Sequence, residues 1–362
     1  MAEDLNWEQT LSGTQEMREG HRFDLKLLES YLADRIEGFR TPLEVRQFRG
    51  GQSNPTYELI TPGRRYVLRC QPRGNLLPSA HAIDREYRVI SALHPTGFPV
   101  ARPYLLCDDQ SVIGTMFYVM EHVEGRIYWE PLLPHQTQQQ RHAIYDAMNA
   151  TIARLHNVDW RALSLNDFGK PGNYIARQIA RWTKQYKASE TEPIEEMEKL
   201  IEWLPQHLPE APSDAIVHGD YRLDNIIWHP SEPRVLAVID WELCTIGDPM
   251  ADFTYHLMQW QMPRNASKTG MTLLDADLPV LGVPSMDEYT GRYLARTRRE
   301  GLPELDYYAA YNFFRLAGIL QGIVGRVRDG TAASARAAEN ASRVRPLAER
   351  GWRYALRAGA SG

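Results

Sequence analysis

The sequence predicts an α+β protein in two parts, a small antiparallel sheet carrying one helix and a larger, mainly helical remainder. Three observations predict it. The chain has 362 residues, enough for two domains at roughly 100–200 residues each. Residues 43–121 read β-β-β-α-β-β, which is not the repeated βαβ order of a parallel sheet. Beyond Gly125 the apolar residues return at three- and four-residue steps, broken only by a short β island near 216–239.

Taken in order, Phe23, Leu27, Leu28, Tyr31, Leu32 and Ile36 have helical spacing over 22–38, with Asp24 placed to cap it. The period then changes to two over Leu43, Val45 and Phe48. Gly50 to Pro55 form a turn cluster. Tyr57–Ile60 and Tyr66–Cys70 read as strands joined by Thr61-Pro62-Gly63. Residues 79–93 return to helix, with Ile83, Tyr87, Ile90 and Leu93 as one stripe and Glu86 beside it. Tyr104–Cys107 and Thr115–Glu121 are strands around the turn 108–111. Helical stripes follow at 137–156 (Ile144, Met148, Ile152, Leu155) and at 175–187 (Ile175, Ile179, Trp182, Tyr186). The β island is Ile216-Val217, Ile226–Trp228 and Val235–Ile239. Helices resume near Asp248, and Tyr308–Val324 is the most apolar of them.

Composition narrows the function classes. Hydrophobic residues make up 43% and charged residues 24%, which excludes a disordered chain, a collagen and a coiled-coil rod. The three cysteines, Cys70, Cys107 and Cys244, form no close pair, against a zinc ribbon, a C-x-x-C redox site or a disulfide framework. A net charge of −5 gives no reason to expect nucleic acid as a partner. The longest apolar stretch, Leu316–Gly325, is closed by Arg315 and Arg326 and falls far short of the ~20 residues of a membrane span. The acidic N-terminus is unlike a signal peptide, so a cytoplasmic protein with no membrane partner is expected. Charge is uneven: residues 262–362 carry a balance of +5, and the first 261 residues −10.

The chemistry concentrates in 218–240. His218-Gly219-Asp220-Tyr221-Arg222-Leu223-Asp224-Asn225 lies between short strands, and Val238-Ile239-Asp240 follows on the next hairpin arm. A carboxylate, an amide oxygen and a second carboxylate are hard oxygen ligands. They suit Mg²⁺, which keeps several waters and bridges phosphates. The same residues also serve as turn formers, with His218 a core histidine; it is their order, behind a five-strand unit, that points to a site.

The chain resembles the aminoglycoside phosphotransferase and choline kinase branch of the protein-kinase-like superfamily. Within it, the likeness is greatest to the kinase-like domain that animals fuse to acyl-CoA dehydrogenases. Besides 218–240, the stretches that carry it are Phe48–Asn54, Tyr66–Arg69, Leu77–Ala82 with Asp84–Val89, Val119–Gly125 and Gly247–Asp252. The resemblance covers about residues 40–330. It implies a bilobal kinase-like fold: an N-terminal helical segment at 1–40, a nucleotide-binding lobe at 41–122, a helical lobe with catalytic loop and acceptor site at 123–345, and a tail at 346–362 expected to fray.

Carried over position by position, Asp220 resembles the base that orients the acceptor hydroxyl, and Asn225 and Asp240 the magnesium ligands. His218 resembles the histidine that braces the loop. Arg222 falls two after Asp220, where protein kinases place a lysine on the transferring phosphate. Gly50, Gly51, Gln52, Ser53 and Asn54 would cover the nucleotide phosphates, since small residues let backbone N–H groups approach an anion; the run also makes an ordinary hairpin turn, and it is not the kinase G-x-G-x-x-G pattern. Arg69 stands where most of the superfamily has Lys. Its fork can pair with Glu86, 17 residues on, and with phosphate oxygens. Met120, Glu121 and Val123 would lie against adenine at the linker.

The implied activity is ATP- and Mg²⁺-dependent phosphorylation of a small-molecule hydroxyl, with a neutral or anionic acceptor such as a hydroxyacyl thioester. The hydroxyacyl thioester is what the resemblance to the dehydrogenase-fused domains implies; the neutral or anionic character rests on cations beside the helical stripes: Arg177, Arg181, Lys184 and Lys187, and Arg292, Arg296, Arg298 and Arg299. The alternatives are an aminoglycoside or amino-alcohol kinase and a non-catalytic nucleotide-binding regulator, which would lack Asp220, Asn225 or Asp240. A protein kinase would need an activation segment, whereas Gly247-Asp248-Pro249 follows Asp240 almost at once. A metal-dependent hydrolase would need more His and Asp ligands.

Overall fold

The structure is a computed structural model that describes residues 13–49, 54–73, 82–210, 214–267, 272–302, 304–329 and 337–361. The strands are β1 (Thr14–Gln15), β2 (Glu44–Phe48), β3 (Thr56–Thr61), β4 (Arg64–Cys70), β5 (Pro103–Cys107), β6 (Phe117–Glu121), β7 (Ala215–Val217), β8 (Ile226–Trp228), β9 (Val235–Val238) and β10 (Thr245–Gly247). The main helices are α1 (Leu25–Ala33), α2 (Ile83–Leu93), α3 (Gln138–His156), α4 (Tyr174–Ser189), α5 (Glu195–Trp203), α6 (Pro249–Leu257), α7 (Met286–Thr297), α8 (Leu305–Arg328) and α9 (Ala337–Arg357). Among the described residues no helix is long and apolar enough to cross a membrane. The chain forms two compact units. The first comprises Met1–Trp129, Leu163–Leu165 and Asp224–Cys244; the second comprises Glu130–Ala162, Asn166–Leu223 and Thr245–Gly362.

The first unit is built on an antiparallel sheet of order β1-β2-β3-β4-β6-β5. Strand alternation decides what each face does. On β4 and β6, Tyr66, Leu68, Cys70, Phe117 and Val119 point to one core, which they share with Leu28 and Leu32 of α1. Full burial of side chains of this size contributes roughly 1.5–3 kcal/mol each. The intervening residues, Arg69 and Tyr118, turn to the other face, where α2 presents Glu86. Asp24 caps α1 as predicted, its carboxylate accepting from Lys26 N at 2.9 Å and Leu27 N at 3.1 Å. Two features differ from the sequence reading. Strand β1 adds an edge to the sheet, pairing with β2. The turn predicted at 108–111 winds into a helical turn, Gln110–Ile113, because Asp109 caps Ser111 N at 2.9 Å and Val112 and Ile113 are buried. The hairpin of β8 and β9 completes this unit: Val238 N–H donates to Pro99 O at 2.8 Å, and Trp241 meets Phe98 edge to face.

The second unit is helical around α8, which buries Tyr307, Tyr308, Tyr311, Phe313 and Phe314. Strands β7 and β10 pair within it. Helix α3 opens on a capping box of Thr137 and Gln140, and α6 on an Asp248 cap with Pro249 at its first position, the arrangement that satisfies exposed N–H groups and wastes no donor. The C-terminal residues correct an expectation. Residues 346–357 do not fray but lie in α9, where Val344, Leu347, Ala348, Tyr354 and Ala355 are buried. Their three- and four-residue spacing makes one apolar face. Gly351 keeps that face close to its neighbours, since a Cβ there would lie 3.1 Å from Leu200 Cδ1 and 3.2 Å from Phe313 Cβ.

Candidate active site

The catalytic-loop motif leaves β7 and is fixed within the second unit by one buried carboxylate. Asp252 of α6 accepts from His218 N at 2.7 Å and Gly219 N at 2.8 Å, and its Oδ2 lies 3.1 Å from His156 Nε2. Burial alone would raise the Asp252 carboxyl, but the hydrogen bond from His156, its charge and that of His218, and the backbone donor together hold it below the usual carboxylate range. Gly219 has φ +84°, a conformation that glycine adopts without a Cβ penalty. Asp220 N then donates to His218 Nδ1 at 3.2 Å, so the fully buried His218 braces the loop through its ring.

The Asp220 carboxylate itself is held. Its Oδ1 accepts from Tyr255 Oη at 2.6 Å and lies 3.2 Å from Arg222 Nε. Arg315 donates from Nη2 to Gly219 O at 2.6 Å, and its guanidinium sits 4.8 Å from the Tyr255 ring centroid.

The first unit gathers a second group. Arg69 places Nε 2.9 Å from Glu86 Oε2 and Nη2 2.8 Å from Asp240 Oδ1, with Glu242 Oε2 at 3.8 Å. Glu86 also accepts from Asn54 Nδ2 at 3.0 Å and Tyr118 Oη at 3.2 Å. Burial pushes the Glu86 carboxyl up against the opposing pull of Arg69. Burial would lower Arg69, but Glu86 and Asp240 outweigh it and hold the guanidinium above its ordinary value. Ile239 N–H donates to Asn225 O at 3.0 Å, which sets Asp240 beside Asn225 at the open end of the β8–β9 hairpin. Asp240 has φ +68°, a left-handed conformation that Asp tolerates better than most residues.

The remaining predicted residues fall as follows. Gly50, Gly51, Gln52 and Ser53 lie outside the described residues. Asn54 is fully buried and its amide donates to Glu86. Met120 lies on the same sheet face as Tyr118 and Arg69, by alternation along β6. Glu121 is exposed, and its N–H is spent on Arg102 O at 2.8 Å inside the sheet. Val123 is half-buried just beyond the strand. Several cations expected to line an acceptor wall are instead engaged locally. Arg292 and Arg296 both pair with Asp146, at 3.1 and 2.8 Å. Lys187 pairs with Glu198 and Glu190. Arg177 donates to the carbonyls of Gly172 and Lys170. The cations near Asp220 are others: Arg222 and Arg315; Arg343 lies within electrostatic reach of Arg222 and Tyr255. Burial and the charge of Arg222 hold Arg343 below its ordinary value against the pull of Glu339, and the Asp220 charge is among those that raise Arg315.

Sequence reasoning missed Tyr118, Glu242, His156, Tyr255 and Arg315. Asp252 stood in a quoted stretch with no role attached. Its signal was local: an Asp one turn after the Asp248-Pro249 helix start lies on the first turn of α6, aimed back along the axis.

The fold is that of the protein-kinase-like phosphotransferases, mixed α+β. The chain belongs to the phosphotransferase enzyme family, whose profile matches residues 44–289. Among its relatives is mouse acyl-CoA dehydrogenase family member 10, 46% identical over 336 residues, covering 92% of this chain and 31% of that protein. Human acyl-CoA dehydrogenase family member 11 is 42% identical, covering 93% of this chain and 44% of that one. The chain thus spans less than half the length of these curated relatives. A solved Ralstonia eutropha protein, provisionally described as an aminoglycoside phosphotransferase, is 52% identical with a TM-score of 0.84, covering 93% of this chain and 99% of that one. Choline kinase from Cryptosporidium parvum shares the fold at 11% identity and a TM-score of 0.62, covering 92% and 97%. An aminoglycoside phosphotransferase solved with AMP-PNP and hygromycin B does so at 16% identity and a TM-score of 0.58, covering 92% and 99%.

Proposed function

We propose that this protein transfers the γ-phosphoryl group of ATP to the hydroxyl of a small molecule, with Asp220 as the base that orients that hydroxyl and receives its proton. The observation that carries this reading is the held carboxylate: Asp220 Oδ1 is 2.6 Å from Tyr255 Oη, on a loop whose N–H groups are fixed by Asp252. Phosphoryl transfer needs positioning and charge neutralisation more than covalent help, and a carboxylate held in this way supplies the positioning.

Asn225 and Asp240 would hold Mg²⁺. Both offer hard oxygen donors at one hairpin end, and among the described residues no cluster of three or more His, Cys, Asp or Glu gathers to hold a metal. A two-residue donor set suits an ion that keeps waters and leans on substrate phosphates. When bound, the ion neutralises phosphate charge. Arg69, braced by Glu86, anchors phosphate oxygens through its fork, and Arg222 stands ready beside Asp220 to meet charge on the transferred group. Met120 and Val123 would contact adenine.

The acceptor class we infer is neutral or anionic, with a hydroxyacyl thioester the first candidate. Arg222 and Arg315 support this, because cations around the base disfavour a polycationic acceptor by several kcal/mol for closely juxtaposed like charges, on the order of those seen at interfaces. The relatives named as acyl-CoA dehydrogenase family members support the acyl class. An aminoglycoside is the second reading, supported by the Ralstonia eutropha structure at 52% identity. Phosphate transfer from radiolabelled ATP to hydroxyacyl-CoA compounds and to kanamycin-type acceptors tests both. Turnover is expected only with the former. Efficient aminoglycoside phosphorylation would overturn the acceptor assignment, and no transfer above ATP hydrolysis with any hydroxylated acceptor would overturn the activity.

A further inference from the structure

We infer that Tyr255 and Arg315 are positioning residues for Asp220: Tyr255 holds one oxygen of its carboxylate, and Arg315 holds both the loop peptide leading into Asp220 and the ring that carries the hydroxyl. The inference deepens the proposed function and rests on Asp220 meeting the acceptor.

The two residues come from rigid elements. Tyr255 lies in α6 and is 7% exposed; Arg315 lies in the middle of α8 and is 5% exposed. Taking a guanidinium out of water costs several kcal/mol, an expense that packing alone does not require, because apolar residues of similar volume do as well or better. Among the described residues no carboxylate forms an ion pair with Arg315, and its Nε is buried with no hydrogen-bond partner. What the guanidinium does contact is the site: Gly219 O at 2.6 Å, the Tyr255 ring centroid at 4.8 Å and the Trp182 ring centroid at 5.8 Å.

The consequence is a peptide unit fixed at every polar atom. Gly219 N–H is held by Asp252 at 2.8 Å, Gly219 O by Arg315 at 2.6 Å, and Asp220 N–H by His218 Nδ1 at 3.2 Å. With the backbone fixed, Tyr255 selects the rotamer of Asp220 by binding Oδ1. A cation on the face of a phenol is attracted by the ring quadrupole and draws electron density from it, so the O–H becomes a better donor toward the carboxylate. Arg222, Tyr255 and Arg315 are among the charged and polar groups that face Asp220.

The test is ¹³C-carboxyl NMR on the full chain at one fixed neutral pH, with the Asp220 signal assigned by its loss in Asp220→Asn, together with steady-state kinetics. Tyr255→Phe removes one oxygen and preserves shape. It is expected to move the Asp220 carboxyl chemical shift, because the carboxylate loses a hydrogen-bond donor, and to lower kcat at least about tenfold, with KM for ATP unchanged within twofold. Arg315→Met should move both readouts the same way, and Arg315→Lys, which keeps the charge and loses the fork, should recover part of each. If Arg315→Met does not fold, Tyr255→Phe decides. A merely structural role would lower Tm and leave the Asp220 signal where it was. An Asp220 signal unmoved in Tyr255→Phe overturns the inference whatever turnover does. A moved signal in a protein that phosphorylates no acceptor leaves the positioning intact and overturns the phosphotransfer reading instead.

Discussion

Arg69 and Asp240, 171 positions apart in the chain, meet with Nη2 2.8 Å from Oδ1. The same guanidinium reaches Glu86 on its other edge at 2.9 Å. One cation therefore joins a strand, a helix and the hairpin that carries the proposed metal ligands.

Removing that cation should leave Glu86 buried without its counter-charge. Arg69→Met is expected to destabilise the protein by about 3–5 kcal/mol and to raise KM for ATP. Glu86→Gln should cost less. Because the two touch, the double variant should lose less than the sum of the singles. Urea melts of the four proteins measure this; strict additivity would mean that the pair is energetically silent.

Asp220→Asn should reduce kcat by about 10²–10⁴, the usual worth of a positioned base, while the ATP dissociation constant stays within a few-fold of wild type. Kinetics and nucleotide titration on the same preparation check it. Near-normal kcat would place the base elsewhere.

Asp240→Ala should weaken Mg-ATP binding and turnover together, and Asn225→Ala should do so more mildly, because a charged donor contributes more to a hard cation than an amide does. Mg²⁺ titrations that overlay the wild type for both variants would move the metal away from the hairpin.

Stability should fall on mild acidification because of His256. Burial lowers its pKa to about 4. Its Nδ1 lies 3.2 Å from Tyr221 O and its Nε2 2.7 Å from Tyr289 Oη, partners that the neutral ring satisfies. The unfolded chain takes up the proton near pH 6.5. The stabilisation is fully present above that value and is lost as pH falls from about 6.5 toward about 4, up to about 3 kcal/mol at the acid end. Thermal melts from pH 7.5 to 4.5 should show the slope, and His256→Gln should flatten it. An unchanged slope in that variant would assign the acid sensitivity to other groups.

Much of the first unit was legible because its signals are local. Tyr66–Cys70 read as a strand and Ile83, Tyr87, Ile90 and Leu93 as a helical stripe with Glu86 beside it, and the Arg69–Glu86 pair was expected from the resemblance and the 17-residue separation. The link to Asp240 was not, since no local pattern reports how a hairpin far along the chain docks. His218, Asp220 and Asn225 announced themselves as a motif. Tyr255 and Arg315 did not, because their meeting depends on the register of α6 against α8, which side-chain packing sets. Helix α9 was misread for a different reason. Its stripe of Val344, Leu347, Ala348 and Tyr354 has helical spacing, but it lies among the Ala, Arg and Gly residues that made the stretch read as a tail.

The division of the chain has a consequence for how the protein is made. The first unit takes in Asp224–Cys244, so Arg69 has no Asp240 to meet and Phe98 no Trp241 until synthesis has passed most of the helical residues in between. At about 5–20 residues per second, the sheet waits on the order of ten seconds with its exposed α2 face unpartnered on the ribosome. A nascent chain halted after Trp129 would hold a nearly complete set of strands and an incomplete core, the state most open to chaperone capture and proteolysis.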